Sequence, residues 1–516
     1  MWFSFKSRRV YLLATVAYMG SFLFGYDVGV MGSVLAFDSF KEDFGLPTNS
    51  SGFASAKAAE ISSNVVSLLI AGCFFGALAA AFLNEKFGRR FSLMGFAVVF
   101  LLGAALQTGS PRQLSYIYAG RVIAGLGVGS MSSITPVFVA ENSPARVRGR
   151  ITGLFQEFLV LGTTLSYWLD YGVAKNIPKS SKQWRIPLGV QLIPGGILLV
   201  GMLFLRESPR WLAKQGRDQE AVAALAHIRC DSPDDVEVMS EFAEIKASIA
   251  EEEELSEGVT WKECLQPNMR KRFMIIFFLM LCQQFTGTNS IGYFAPQIFQ
   301  TVGLSGTDSS LFATGVYGVV KVFATGLFLW WITDRIGRKW PLVVGGIWMA
   351  TMMFILGAIL ATHPPNQAHG VSHASIAMVV MIYLYVIGYS LSWGPGPWIY
   401  VGEIFPTRTR AYGVALGAAT QWLFNFVISK ITPAAIHNLG WKTFIMYGVF
   451  CLGNAAFAFV FIRETKGRTL EEINGIFGAV DQVRRPDDFE CIGVEDKEGT
   501  EMNEYKSFAN VRAKGD

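Results

Sequence analysis

Glu85-Lys86-Phe87-Gly88-Arg89-Arg90, wedged between two long apolar runs, returns in the second half of the chain as Asp334-Arg335-Ile336-Gly337-Arg338-Lys339. Two further matches follow in the same order. Glu141 with Arg146 and Arg148 is answered by Glu403 with Arg408 and Arg410. Arg206-Glu207-Ser208-Pro209-Arg210 is answered by Arg463-Glu464-Thr465-Lys466-Gly467-Arg468. Three matched pairs in one order mean two homologous halves running in the same sense.

Composition places both halves in a membrane. Of 516 residues, 51% are hydrophobic and only 16% charged, against about 25% charged in an ordinary soluble domain. The 53 glycines suit helices that pack closely in lipid. A net charge of +4 gives no reason to expect a nucleic-acid partner. Six cysteines, at 73, 230, 264, 282, 451 and 491, have no metal-ligand spacing, and Cys73, Cys282 and Cys451 sit in apolar segments as small packing residues. The histidines are scattered, with His363, His369 and His373 in one loop, and no nucleophile–base set is visible. No enzyme activity, metal or cofactor is expected. Met1–Arg9 leads into an apolar run with no small-residue cleavage site, which reads as a retained first helix.

Runs of ~20 apolar residues can cross a bilayer as helices, and twelve are predicted, making an all-α membrane protein. They lie near 10–32, 61–83, 91–109, 116–139, 151–170 and 187–205 in the first half, and near 273–300, 310–332, 341–361, 376–402, 411–432 and 441–462 in the second. The expected organisation is a six-helix bundle over 1–205, a polar linker with short helices over 206–272 containing Glu251-Glu252-Glu253-Glu254, a second six-helix bundle over 273–462, and a charged tail over 463–516 that reads as disordered past 480. Parallel repeats of this kind are characteristic of secondary transporters. One set of connecting loops carries 11 Lys and Arg residues and the opposite set 5, so the richer side and both termini are expected in the cytosol. The long first outer loop then presents Asn49-Ser50-Ser51, a glycosylation sequon.

Motifs across residues 10 to 475 resemble the sugar porters of the major facilitator superfamily: Gly25-Tyr26-Asp27, Gly88-Arg89-Arg90, Gly120-Arg121, Glu207-Ser208-Pro209-Arg210, Gln283-Gln284, Asp334-Arg335 and Glu464-Thr465-Lys466-Gly467. The resemblance implies substrate held between two six-helix bundles. It also implies sugar contacts at Gln156, Thr163, Gln283, Gln284, Asn289, Tyr293, Gly394, Trp398, Gln421 and Trp422. The residue types suit that task, since amides donate and accept at once and an aromatic face covers the apolar side of a sugar ring. Depth agrees: Gln283 and Gln421 each lie 11 residues past Arg272 and Arg410, or ~17 Å along a helix. Thr286-Gly287-Thr288 and Gly394-Pro395-Gly396-Pro397 predict breaks in the seventh and tenth spans.

The charge clusters fall at inner helix ends. Glu85, Arg89, Glu141, Arg148 and Glu207 in the first half, and Asp334, Arg338, Glu403, Arg408 and Glu464 in the second, are expected to bridge neighbouring helices as an inner gate. Positive-inside anchoring would explain their basic members but not the acidic one in every cluster. Deeper in the membrane, Asp27 lies 18 residues past Arg9, ~27 Å along the helix. Arg121 lies 20 residues before Glu141 on an antiparallel span, ~30 Å from the same end. Facing charges at that depth satisfy each other. They serve either as a fixed structural pair or as a proton switch in which protonated Asp27 releases Arg121. Proton-coupled sugar porters resemble this chain in having Asp there. Lys321, 13 residues before Asp334 and so ~20 Å in from the inner end, departs from the Asn common in sugar porters. With Gly318-Val319-Val320-Lys321 and Trp184-Arg185-Ile186-Pro187, the chain resembles the quinate-permease branch. A cavity-facing Lys321 would be an anion contact, and a helix-paired one would say nothing about substrate.

The expected function is uptake of a monosaccharide by proton symport across the plasma membrane, with alternating access and a monomeric working unit. A quinate or uronic-acid symporter of the same fold is the alternative, followed by a uniporter and a non-transporting sugar sensor.

Overall fold

The structure, a computed structural model, describes residues 8–46, 55–256, 264–304, 306–332, 337–365, 371–466 and 477. The Asn49 sequon, Asp334, Arg335, His369, Cys491 and the tail past 477 lie outside the described residues. Among the described residues there are twelve helical spans, in two sets of six. The first set is Arg8–Val34, Ala56–Phe87, Arg89–Thr108, Leu114–Asn142, Ala145–Asn176 and Lys182–Phe204. The second runs through Pro267–Thr301, Thr307–Ile332, Lys339–Thr362, His373–Ile404, Thr407–Leu439 and Lys442–Phe461. Eleven are long and apolar enough to cross a membrane on composition alone. The fifth, Ala145–Asn176, is 32 residues long but diluted by Arg148, Glu157 and Asp170. The end carrying the charge clusters is called inner below, and the opposite end outer.

The repeat seen in the charge clusters is repeated in the packing. The first span packs on the fifth, the second on the fourth and the third on the sixth. In the second half the seventh packs on the eleventh, the eighth on the tenth and the ninth on the twelfth. The halves meet along two quasi-equivalent seams, fifth against eighth and second against eleventh. Glycine lets backbones approach where these contacts are tightest. A Cβ on Gly76 would lie 2.2 Å from Leu126 O, and one on Gly129 only 2.1 Å from Cys73 O, a small-residue seam of the kind lipid-embedded helices need. Around the perimeter Phe82, Phe204 and Phe323 are exposed, which lipid tolerates and water would not.

Interruptions fall where the sequence supplies a breaker. The seventh span bends at Gly287, held at φ +90°, and again at Phe294. The tenth unwinds over Leu391–Pro395 and restarts at Gly396 with Pro397 in its first turn, a place proline occupies without losing a bond. The unwinding therefore lies slightly earlier than the Gly394–Pro397 break the sequence predicts. The first span also breaks at Tyr18, which has no breaker residue. The linker forms three helices, Pro209–Lys214, Asp218–Arg229 and Val236–Ser256, with a small core that includes Trp211, Leu225 and Phe242. Trp211 Nε1 donates to Glu85 O at 3.0 Å and Arg229 to Asn142 O at 3.1 Å, tying the linker to the inner end of the first half.

Candidate functional site: the seam between the halves and its two ends

At the inner end each half builds the same knot. Arg89 grips Glu141 with Nε and Nη2 at 3.1 and 3.0 Å, and Nη2 also reaches Glu85 at 3.1 Å. The Glu207 carboxylate accepts from the backbone N–H groups of Arg89, Arg90 and Ser208 at 3.1 Å or less. In the second half Arg338 grips Glu403 at 2.8 Å, and Glu464 accepts from the N–H groups of Arg338 and Lys339. Thr465 adds a hydroxyl to Glu403 at 2.6 Å. Burial pushes the Glu207 carboxyl up from its ordinary value against the pull of these donors. At Glu464 burial acts in the same direction, but the backbone N–H groups of Arg338, Lys466, Lys339 and Thr465 prevail and hold it down.

The glycine before each arginine makes the knot possible. Gly88 sits at φ +89°, ψ 169°, and a Cβ there would lie 2.4 Å from Glu207 Oε2. Gly337 repeats this at φ +85°, with Glu464 Oε2 at 2.6 Å. Backbone strain in this glycine-only region costs about 1–3 kcal/mol, and displacing the carboxylate adds to it. Gly88→Ala and Gly337→Ala are each expected to lower the thermal unfolding temperature of the purified protein, as followed by tryptophan fluorescence. An unchanged midpoint in both would show that the knots are dispensable to the fold. Arg148 does not join the knot as the sequence suggested. It is exposed, donates to Ser143 O at 3.3 Å, and has no ion pair among the described residues. Arg408 is partly buried at the start of the eleventh span. Arg89 and Arg338 thus bind within their own halves.

At the outer end the halves touch each other. Tyr167 Oη of the fifth span donates to Gly292 O of the seventh at 2.7 Å, and Gln297 Nε2 of the seventh donates to Gly32 O of the first at 2.7 Å. A Cβ on Gly32 would lie 2.2 Å from Tyr293 O. Lys430 of the eleventh bonds Asn64 of the second, and Trp422 packs on Phe24 with ring centroids 5.3 Å apart. Just inside this seal, Asp27 and Arg121 form an ion pair that is essentially inaccessible to solvent. Arg121 Nε also donates to Val65 O at 3.1 Å, while Asp27 Oδ2 has no hydrogen-bond partner among the described residues.

The expected sugar contacts divide into two groups. Several are committed to the protein. Thr163 Oγ1 donates to Gly25 O, and Gln283 Nε2 donates to Trp393 O and Gly394 O at 2.9 Å, pinning the unwound tenth span. Asn289 donates to Gln284, which donates to Gln283, forming a chain of amides. The Tyr293 hydroxyl accepts from Asn425 at 2.9 Å, and Trp422 is buried. Others are available. Gln156 is partly exposed and makes no hydrogen bond among the described residues, Gln421 Oε1 is without a partner, and Trp398 is 37% exposed.

Lys321 stands apart from the expected sugar contacts. On its helix Phe323 and Phe312 are 75% and 48% exposed and mark the lipid side. At ~100° per residue, Lys321 lies ~200° from the first and ~180° from the second, pointing into the protein. It is partly exposed and has no ion pair or hydrogen bond among the described residues. Gly318 lies against Thr164 and Gly326 against Glu157, so in this antiparallel seam Lys321 sits between the depths of Gln156 and Thr163. Of the two readings left open by the sequence, a lysine paired with a neighbouring helix is the one this geometry disfavours.

Four polar residues escaped sequence reasoning. Asn425 donates to Tyr293 Oη at 2.9 Å, Glu157 lies against Gly326 of the eighth span, Asp170 is fully buried in the fifth span, and Arg272 is fully buried with Nη1 donating to Ile404 O at 2.7 Å. A polar residue inside an apolar run was the available signal for Asn425 and Glu157, whereas Asp170 at a span end and Arg272 in a basic cluster carried none. Trp184, whose motif suggested substrate class, instead donates from Nε1 to Asp43 at 2.8 Å and fastens the outer loop.

The model of the family described as sugar (and other) transporter matches residues 13–477. A probable quinate permease of Aspergillus clavatus is 37% identical over 477 residues, covering 91% of this chain and 88% of that protein. The probable quinate permease of Neosartorya fischeri is 36% identical over the same share of this chain and 87% of its own length. Among solved structures, the inward-open conformation of the xylose transporter XylE from E. coli superposes with a TM-score of 0.74 at 27% identity, covering 90% of this chain and 99% of that one. The proton:xylose symporter XylE bound to 6-bromo-6-deoxy-D-glucose gives 0.72 at 28% identity, covering 92% and 100%. With a family model matched over nearly its whole span and relatives above 30% identity, this chain belongs to the sugar transporter family of the major facilitator superfamily.

Proposed function

We propose that this transporter carries a small polyhydroxylated carboxylate of the quinate or uronate kind together with a proton, across the plasma membrane, by alternating access. Lys321 carries the reading. A lysine at mid-depth, turned from lipid and without a carboxylate of its own, is costly unless a ligand or water answers it. A carboxylate-bearing substrate would supply the missing charge. In this reading Gln156 and Gln421 would offer amide groups to hydroxyls and Trp398 a ring face, while Gln283, Gln284 and Asn289 would hold the broken seventh and tenth spans in register. Relatives bearing the name quinate permease support the same choice. With its outer ends in contact, the molecule matches an inward-facing stage of the cycle. The termini would then lie in the cytosol and a single chain would suffice as the working unit.

A neutral monosaccharide is the second reading, favoured by the likeness to a proton:xylose symporter. Uptake of labelled quinate, galacturonate, glucose and xylose into a transporter-deficient yeast, with and without a protonophore, separates the two. Protonophore-sensitive accumulation confined to the carboxylated compounds is expected. Accumulation of glucose or xylose alone would return Lys321 to a structural role.

A further inference from the structure

We propose that Asp170 is a second proton-binding carboxylate, filled from the outer side, whose protonation is required for the outer ends of the two halves to close. Asp170 lies on the fifth span with no exposed surface, and among the described residues its carboxylate is set against the neutral Ser33 hydroxyl, without a well-formed hydrogen bond to either oxygen. It sits directly behind the outer seal. Tyr167, one helical turn before it, bonds Gly292 of the opposite half. Ser33 of the first span, beside Asp170, follows Gly32, whose carbonyl accepts from Gln297 of the opposite half.

No cation compensates this carboxylate among the described residues. On the fourth span Arg121 is bound to Asp27. On the sixth, Arg185 donates to Ser110 O and stacks over Trp184. On the eighth, Lys321 has no acidic partner, and Tyr317 supplies only a hydroxyl. The first span contributes Tyr26, whose hydroxyl is bonded to Pro187 O, and Asp27, a further acid. On the fifth span itself Lys175 stacks over Tyr171 and is exposed.

An ionised carboxylate in that setting is prohibitively costly, so the sealed state holds Asp170 neutral. When the outer ends part, water reaches the carboxyl and it can ionise. The sealed state therefore binds one proton more than the open state, and acid outside favours sealing. The proton enters from the outer solution and returns there, with no bond made to substrate. The device differs from the Asp27–Arg121 pair because it has no cation to release. It rests on alternating access but not on the identity of the substrate.

The test contains no substrate. Spin labels are placed at Ser180→Cys and Asn438→Cys, two exposed outer positions on opposite halves, in a full-length background lacking the native cysteines. Their separation is read by pulsed electron resonance between pH 5 and 8 in lipid nanodiscs. The ratio of open to sealed molecules is expected to rise with pH, by up to about tenfold per unit for one proton. Asp170→Asn is expected to stay sealed throughout, Asp170→Glu to keep a pH response, and the double variant Asp27→Asn with Arg121→Gln, which removes both charges of the neighbouring pair, to keep it as well. A flat profile in the unsubstituted protein overturns the proposal, as does a response that survives in Asp170→Asn or is lost only in the double variant. If Asp170→Asn does not fold, Asp170→Ser replaces it, and the unsubstituted profile still decides.

Discussion

Asp27→Asn is expected to abolish accumulation against a gradient while leaving exchange of substrate across the membrane. One proton carried with a neutral substrate through 100 mV is worth about 2.3 kcal/mol, or roughly a 50-fold concentration ratio. Carried with a monocarboxylate the complex is electroneutral, and only the pH gradient drives it, at about tenfold per unit. Without Asp27 the ratio should fall to unity for a neutral substrate, and to unity or below for a monocarboxylate, which then moves as a bare anion against an inside-negative potential. The variant has a second consequence, because it strands Arg121 in the interior. Breaking a buried pair from one side costs about 3–5 kcal/mol, so Asp27→Asn should also reduce the amount of folded protein. Asp27→Asn with Arg121→Gln removes both charges and is expected to restore folding but not accumulation. A purely structural pair predicts that accumulation returns with the fold. Measuring folded protein and accumulation ratio in the same vesicles separates the two.

The fold was legible because a repeat of charge clusters needs no structural information to be seen, and because membrane spans are written as composition. The inner knots were only half legible. Sequence adjacency put Arg148 with Glu141, but in the structure Arg148 turns back to Ser143 O and Arg89 takes the carboxylate. Gly88 and Gly337 were visible as motif letters, while their reason, a backbone that must pass close to a glutamate, needed coordinates. Depth arithmetic supplied one coordinate of each polar residue and left its direction open. Thr163 and Gln283 have the right depth for substrate, yet their donors are spent on backbone carbonyls. Asp170 has neither motif nor partner in the sequence, so nothing distinguished it from a surface acid at a helix end. Which end of the molecule is sealed is not written in the sequence at all, since one chain must encode both arrangements.

Lys321→Met is expected to raise the KM for a carboxylated substrate by roughly 10- to 150-fold, the equivalent of one charge-assisted hydrogen bond of about 1.5–3 kcal/mol. Uptake of any neutral sugar that the protein accepts should be unchanged. The same variant tests where the lysine points. A lysine paired with a neighbouring helix would leave a buried acid unanswered when removed, and the protein would unfold at lower temperature. A lysine held in the membrane without a partner is a standing cost, and an apolar side chain of similar length removes it. The purified Lys321→Met protein is therefore expected to unfold at a temperature equal to or above that of the unsubstituted protein, even as it loses the carboxylate. Lower thermal stability with unchanged KM would assign Lys321 to helix packing and leave substrate selection to Gln156, Gln421 and Trp398. Loss of affinity together with retained stability would identify it as a residue kept for its ligand, at the expense of the fold.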